Sequence, residues 1–355
     1  MKLVAVVGLI WLPAPLEAQF AGTDNISAYK IGSDGGLTPI AGSPFPAGSK
    51  PDSVVVDSKG KFLYAANGGG SNNVSAYRIG SNGALTPVPG SPFPAGSLPS
   101  SVVLDPASKF IYVVNEGGGT ISAYSIEPDG ALMPIPGSPF ATGTDPHEMV
   151  IDPTGKFAYV ANEVDNNVSA YSIGSNGSLT RIPGSPTAAG SFPLSVAVDA
   201  QAKFVYVANQ ASNNVSAYRI GPGGALLPVL GSPFATGIGP FSITLDPTSK
   251  FAYVVNEGSD NVSAYRIGFN GDLTPIPGSP FAAGSDPHKL AVDPTAKFAY
   301  LVNEVGKNVS AYRLGSNGNL TPIPASPFAA GIGPCALAVD PVGKFVYVAN
   351  KGQPH

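Results

Sequence analysis

Short apolar runs alternate with turn-forming residues along almost the whole chain. In the stretch 193–234 four such runs occur, at Ser195–Val198, Phe204–Ala208, Val215–Ile220 and Ala225–Val229. Their Val, Ile, Tyr and Phe residues favour strands, and no helical period competes with them. The runs are separated by Asp-Pro, Asn-Gly and related sequences that are typical of tight turns. The pattern therefore predicts four antiparallel strands in this stretch.

The same pattern recurs seven times. A Ser-Ala-Tyr segment ends at Tyr29, Tyr77, Tyr124, Tyr171, Tyr218, Tyr265 and Tyr312, in steps of 48 and then five times 47 residues. A second marker, Lys-Phe-x-Tyr-x-x-Asn, ends at Asn67, Asn115, Asn162, Asn209, Asn256, Asn303 and Asn350. Four short strands per unit, repeated at this period, predict the blades of a β-propeller.

The leftover strands at the two ends of the chain predict how the ring closes. Six complete units begin near residues 50, 98, 145, 192, 239 and 286. Two runs remain at the start, Asn25–Ile31 and Leu37–Ile40, and two at the end, Ala336–Val339 and Phe345–Ala349. Joining them into one blade removes the unpaired edges of an open ring. We therefore predict an all-β, seven-bladed propeller with four strands per blade, in one domain over residues 23–355.

Residues 1–22 fall outside this repeat. They contain Lys2, an apolar run from Leu3 to Leu12, Pro13, and Ala18 as a candidate last residue before cleavage, which predicts a secretory signal peptide. The run is shorter than the roughly 20 apolar residues that span a bilayer, so no membrane span is expected. We expect an extracytoplasmic protein, either periplasmic or secreted.

Composition and charge narrow the classes of partner. The net charge is −4, and the 19 basic residues are spread through the repeats, so no basic stripe predicts nucleic-acid binding. The single cysteine, Cys335, excludes an intrachain disulfide framework and a multi-cysteine metal site. A monomer is expected.

The repeat resembles that of a known family. The run DPHEMVIDPTGKFAYVANE at 145–163, followed by NVSAY, is similar to lactonase-type seven-bladed propellers, including bacterial 6-phosphogluconolactonase and surface-layer propellers with Tyr-Val-Thr-Asn repeats. The resemblance covers roughly 24–350 and implies the same fold. It also implies lactone hydrolysis at the channel mouth, where these lactonases use histidine, acidic and arginine residues. This sequence has histidine and glutamate there, but no arginine.

Side-chain chemistry varies at two positions of the repeat. The first strands line the central channel of a propeller. The residue after the opening proline of each first strand is therefore predicted to ring one channel mouth, as Asp52, Ser100, His147, Leu194, Phe241, His288 and Cys335. The neighbours Glu148 and Lys289 are included in this candidate binding set. The residue after each marker asparagine returns to the same face, as Gly68, Glu116, Glu163, Gln210, Glu257, Glu304 and Lys351.

Two units share a histidine and a glutamate at these positions. His147 with Glu163, and His288 with Glu304, are the candidate catalytic pairs, predicted to face each other across the mouth. A neutral histidine there could act as general base on the water that attacks a lactone carbonyl, with the glutamate orienting it. Alternatively, both histidines simply bond loop carbonyls.

Two further readings of this region are weaker. His147, Glu148 and Glu163 are metal-ligand types, but this combination is common on surfaces, so no metal and no cofactor are predicted. Cys335 next to His288 could form a nucleophile pair, although a small buried thiol is the commoner role.

Two classes of function remain open. The first is a hydrolase whose partner is a small sugar lactone or related lactone. The second is a non-catalytic extracytoplasmic propeller whose rim binds a protein or a glycan. The resemblance favours the first, and the near-identical blades favour the second.

Overall fold

The computed structural model describes residues 24–352, which form seven antiparallel sheets of five strands each. The innermost strand of each sheet contacts those of both neighbouring sheets, and the last meets the first, so the sheets form a closed ring. The all-β, seven-bladed propeller fold predicted from the sequence is confirmed. The predicted signal peptide, 1–22, lies outside the described residues. In the described range no helix is long and apolar enough to cross a membrane.

Four main strands build each blade from the channel outwards. The innermost strands are β4 (Pro51–Val56), β9 (Pro99–Leu104), β14 (Pro146–Ile151), β19 (Pro193–Val198), β24 (Pro240–Leu245), β29 (Pro287–Val292) and β34 (Pro334–Val339). The second strands are β5 (Phe62–Asn67), β10 (Phe110–Asn115), β15 (Phe157–Asn162), β20 (Phe204–Asn209), β25 (Phe251–Asn256), β30 (Phe298–Asn303) and β35 (Phe345–Asn350). The third strands are β1 (Asn25–Ile31), β6 (Asn73–Ile79), β11 (Thr120–Ile126), β16 (Asn167–Ile173), β21 (Asn214–Ile220), β26 (Asn261–Ile267) and β31 (Asn308–Leu314). The fourth strands are β2 (Leu37–Pro39), β7 (Leu85–Pro87), β12 (Leu132–Pro134), β17 (Leu179–Arg181), β22 (Leu226–Pro228), β27 (Leu273–Pro275) and β32 (Leu320–Pro322).

Each blade also has a fifth, two-residue strand that the prediction of four strands omitted. These strands are β3 (Phe45–Pro46), β8 (Phe93–Pro94), β13 (Phe140–Ala141), β18 (Thr187–Ala188), β23 (Phe234–Ala235), β28 (Phe281–Ala282) and β33 (Phe328–Ala329). After the fourth strand the chain turns back and pairs with the start of the third, as Phe234 does with Val215. Two residues are too short to show an alternating pattern, so the sequence does not reveal them. Three single turns of 3₁₀ helix occur at Glu116–Gly118, Pro222–Gly224 and Glu257–Ser259.

The seventh blade joins the two ends of the chain as predicted. Its strand order is β34, β35, β1 and β2 from the channel outwards. The pairing of β35 with β1 runs from Asn350 opposite Asn25 to Phe345 opposite Lys30. We call the blade that begins with β4 blade 1 and count onwards to this shared blade 7.

Tyrosine hydroxyls connect adjacent blades in both directions. Tyr159 on the second strand of blade 3 is fully buried, and its hydroxyl donates to the carbonyl of Gly224 in blade 4 at 3.0 Å. Tyr171 on the third strand donates to the carbonyl of Ala141 in blade 2 at 2.8 Å. The apolar cores lie between blades, so each blade is stabilised by both neighbours.

A β-bulge at the start of the inner strand positions the channel side chains. In blade 3, Pro146 lies opposite Asn162 and Glu148 lies opposite Ala161, which leaves His147 as the extra residue. A bulge changes the direction of the side chains beside it. As a result, both His147 and Glu148 line the channel, although adjacent strand residues ordinarily point to opposite faces.

Candidate functional site

All seven predicted mouth residues line one cavity of about 350 Å³ at the end of the channel. Five residues that follow the marker asparagines complete its wall: Glu116, Glu163, Gln210, Glu257 and Lys351. A volume of this order suits a small ligand. The predicted catalytic residue Glu304 lies behind the wall and is fully buried.

A smaller cavity of about 80 Å³ lies deeper in the channel. There Lys289 of blade 6 forms an ion pair with Glu148 of blade 3, across the channel axis. The other carboxylate oxygen of Glu148 accepts a hydrogen bond from the Val196 backbone at 3.2 Å. Because Glu148 is bound in this way, it is not arranged to share a metal ion with His147 and Glu163.

Carboxylates face both ring nitrogens of His288. The residue is 2% exposed, and its Nδ1 lies 3.0 Å from Oε2 of Glu304. Its Nε2 lies 3.7 Å from Oδ2 of Asp286. Glu304 is fixed in turn by Lys351, whose Nζ lies 3.2 Å from the same Oε2 and 3.8 Å from Oδ1 of Asp52. His288 and Glu304 therefore lie side by side, and their catalytic role stays a prediction.

His147 is arranged differently from its counterpart. Its Nδ1 lies 3.0 Å from the backbone oxygen of Leu194. A carbonyl oxygen can only accept, so Nδ1 carries the hydrogen and Nε2 is left as the acceptor nitrogen. Burial lowers the pKa of His147 below its usual value, so the ring is neutral at pH 7. The partner of Nδ1 is the Leu194 carbonyl and not Glu163, and the orientation of His147 by Glu163 stays a prediction.

One neighbouring side chain explains why the two similar motifs differ. Beside blade 6, blade 7 supplies Lys351, whose positive charge holds Glu304 inside the wall. Beside blade 3, blade 4 supplies the neutral Gln210 at the equivalent position. Gln210 turns the other way and donates to Glu257 at 3.1 Å. Among the residues that the structure describes, Glu163 consequently has no counterpart of Lys351 to hold it against His147.

Phe241 separates the two histidines. Its ring stacks on His288 with centroids 4.3 Å apart, and His147 meets it edge to face at 5.7 Å. The mouth thus has two polar halves on either side of an aromatic wall, rather than two histidines facing each other directly.

Carboxylates crowd both halves of the mouth. Burial, followed by repulsion from Asp145, Glu163 and Asp52, raises the pKa of Glu116 to about 6. Burial and neighbouring negative charges also raise the pKa values of Glu163, Glu257 and Asp286. Asp286 and Lys351 were not predicted as site residues from the sequence. Asp286 could have been found because it comes directly before Pro287 and His288. Lys351 could have been found because it is the single basic residue among the seven that follow the marker asparagines.

Cys335 has the environment of an inert thiol. It is 6% exposed, and its Sγ donates to the backbone oxygen of Pro51 at 3.0 Å. Burial raises the pKa of this thiol far above its usual value, which suppresses the nucleophilic thiolate. The candidate nucleophile pair with His288 therefore has no support in the geometry.

Comparison with known proteins places the chain among propellers. The family described as "Lactonase, 7-bladed beta-propeller" matches residues 16–185, 69–238 and 234–355. No curated protein matches the chain. Three similar solved structures share its fold at a sequence identity below 20%.

The first is a candidate 6-phosphogluconolactonase of Bacteroides uniformis, with a TM-score of 0.73 and 18% identity over 88% of this chain and 98% of that one. The second is a candidate 6-phosphogluconolactonase of Bacteroides fragilis, with a TM-score of 0.74 and 19% identity over 88% and 97%. The third is a periplasmic gluconolactonase of Pseudomonas aeruginosa, with a TM-score of 0.74 and 16% identity over 92% and 99%.

Proposed function

The chain belongs to the lactonase family of seven-bladed β-propellers, and on that basis we propose that it hydrolyses an unphosphorylated lactone at the channel mouth. The observation that carries this proposal is the state of His147. A neutral ring with Nδ1 held by a carbonyl leaves Nε2 as a base beside a cavity large enough for a small sugar.

The reaction follows from this arrangement. Nε2 of His147 takes a proton from a water molecule while the water oxygen attacks the lactone carbonyl carbon. The tetrahedral intermediate collapses, and the ring C–O bond breaks. The proton on the imidazolium passes to the departing alkoxide, so the product is a hydroxy acid and His147 is neutral again. Lys351 lies in the cavity wall and is the cation that would offset negative charge on the intermediate.

The charges of the mouth favour a substrate without a phosphate. Four carboxylate side chains line the cavity, Asp52, Glu116, Glu163 and Glu257, against the single cation Lys351. None of the cavity-lining residues in the described chain is an arginine. Recognition of phosphate commonly uses arginine, whose paired N–H groups match its oxygens. We therefore propose a neutral sugar lactone or a related lactone.

His288 has a supporting role in this proposal. Both of its ring nitrogens face carboxylates, so it is less suited than His147 to take a proton from water. We propose that His288 and Glu304, predicted as a second catalytic pair, take no part in proton transfer and instead support the cavity wall.

A lactone panel tests the proposal. Wild type, His147→Ala and Glu127→Gln would be assayed by proton release with gluconolactone, its 6-phosphate and an aliphatic lactone. Loss of the base is expected to lower kcat/KM about 10²–10⁴-fold for the preferred lactone. Glu127 is exposed on the opposite face of the propeller, so its variant is expected to keep wild-type activity. The proposal fails if wild type hydrolyses none of the lactones, or if His147→Ala turns over at the wild-type rate.

The second candidate function is a non-catalytic binding propeller. It is favoured by exposed apolar side chains around the mouth, which include Leu98, Phe192 and Ile238, with exposed fractions of 44%, 42% and 63%. Such side chains suit contact with a protein or glycan surface. If this is the function, Phe192→Ser would weaken partner binding, and His147→Ala would not change it.

We also propose an extracytoplasmic location. It is supported by the apolar N-terminal segment of the sequence, and the similar Pseudomonas protein is named as periplasmic. Cell fractionation tests this location. Recovery of the full-length chain from the cytoplasm alone would contradict it.

A further inference from the structure

Three side chains from two blades converge in the half of the mouth away from His147. Glu257 follows the second strand of blade 5, whereas Asp286 and His288 begin the inner strand of blade 6. One ligand atom from each lies within 4.8 Å of the others. Two carboxylates and an imidazole are all ligands of divalent cations such as Zn²⁺ and Mn²⁺.

The spacing between His288 and Asp286 fits a shared ion better than a direct bond. Nε2 of His288 and Oδ2 of Asp286 are 3.7 Å apart. This exceeds the upper limit of about 3.2 Å for an N–H···O hydrogen bond. Two ligands that each lie about 2.1 Å from one ion, at a tetrahedral angle, are about 3.4 Å apart.

Independent support comes from the layer behind these three side chains. Glu304 is fully buried and lies 3.0 Å from Nδ1, the nitrogen of His288 that faces away from Asp286. In metal sites a carboxylate commonly lies against the histidine nitrogen that does not bind the metal, where it fixes the ring and makes the ligating nitrogen more basic. Lys351 holds this carboxylate from the next blade. Gln210 holds Glu257 in the same way from blade 4.

From this geometry we infer that Glu257, Asp286 and His288 bind one divalent transition-metal ion at the channel mouth. The inference revises the expectation of no metal that came from the sequence.

The three ligands leave coordination positions for water or for a ligand in the cavity, because the cavity wall contains Glu257 and His288. The ion would then lie across Phe241 from His147. A lactone carbonyl placed between the two halves could contact the ion while His147 activates water. That part rests on the proposed function, whereas the binding of the ion does not.

Blade 2 provides a matched control. Glu116 occupies the position equivalent to Glu257, lines the same cavity and also begins a 3₁₀ turn. Its neighbour Asp145 corresponds to Asp286, but His147 is turned towards Leu194. Glu116→Gln therefore removes one mouth carboxylate without touching the proposed ligands.

The test is metal binding by the full chain after removal of metal with a chelator. Titration calorimetry with Zn²⁺ and electron paramagnetic resonance with Mn²⁺ should each show one site per chain. Glu257→Gln and His288→Gln, which alter different blades, are each expected to weaken binding at least 10-fold. Glu304→Gln is expected to weaken it by about 10–100-fold, as an outer partner of the ligand. Glu116→Gln should bind as wild type does.

Three results would overturn the inference. The first is the absence of saturable metal binding by wild type. The second is an equal loss of metal affinity in Glu116→Gln and Glu257→Gln, which would indicate diffuse attraction of the ion to the acidic mouth. The third is unchanged metal affinity in both Glu257→Gln and His288→Gln. These measurements do not involve lactone turnover. A protein that hydrolyses no lactone but binds one metal ion tightly would therefore contradict the proposed hydrolysis and still support the metal site.

Discussion

At the scale of single residues, a backbone carbonyl determines what His147 can do. The Leu194 oxygen holds Nδ1 in its protonated form, which leaves the basic nitrogen for the cavity. The charged groups that act on this ring are Glu148, which raises its pKa, and Lys289 and Lys351, which lower it; burial has the largest effect. His147 is therefore a base that stays neutral over most of the physiological pH range.

This environment predicts the pH dependence of lactone hydrolysis. The neutral form is the active one, so kcat/KM should be constant above the pKa of His147 and fall as the pH drops through it. Because that pKa lies below 6.5, the acid limb should lie below pH 6.5. In Lys289→Gln, the loss of a repelling cation and the release of Glu148 both raise this pKa, so the limb should move to higher pH. A limb above pH 6.5 in wild type would contradict the assignment.

At the scale of elements, a buried aspartate fixes the turn between the first two strands of every blade. In blade 4, Oδ1 of Asp199 accepts hydrogen bonds from the backbones of Lys203 and Phe204 at 2.6 and 2.7 Å, and the side chain is 3% exposed. The carboxylate thereby accepts hydrogen bonds from two backbone N–H groups at the start of β20 that would otherwise lack a partner.

Removing this carboxylate tests its contribution. Asp199→Ala is expected to lower the free energy of unfolding by about 1–3 kcal/mol, since buried backbone donors lose their acceptor. Chemical denaturation monitored by circular dichroism would measure the change. Glu127→Ala, at an exposed carboxylate, serves as the control and should change stability by less than about 0.5 kcal/mol. Equal stability of the two variants would show that the turn does not depend on Asp199.

The strands were predictable from the sequence, whereas the contacts between neighbouring blades were not. The markers Tyr171 and Asn162 predicted the strands and their period because each blade repeats one set of contacts. The mouth residues followed from that symmetry. The difference between His147 and His288 did not, because it depends on whether the next blade supplies Gln210 or Lys351. Contacts between blades join residues that are remote along the chain, and no spacing within one repeat encodes them.

At the scale of the whole molecule, stability depends on the shared blade. Strand β35 pairs with β34 on one side and with β1 on the other, and it carries Lys351 into the mouth. Without it, β1 and β34 would both have open edges. The ring is therefore closed at one place, the pairing of β35 with β1.

Two deletions test this dependence. Removal of residues 345–355 deletes β35, and we expect either no cooperative thermal unfolding or a Tm lower by at least about 10 °C. Removal of 353–355 alone leaves every strand in place, so its Tm should match that of the full chain. Thermal denaturation followed by circular dichroism compares the two proteins. An unchanged Tm after the longer deletion would mean that the stability of the other blades does not depend on closure of the ring.

The position of Lys351 directly after β35 also affects biosynthesis. Lys351 holds Glu304 and approaches Asp52, and both of these residues are translated before it. During synthesis the six complete blades can therefore leave the ribosome before the cation that holds Glu304 is available. The mouth takes its final arrangement only after β35 and Lys351 have been added.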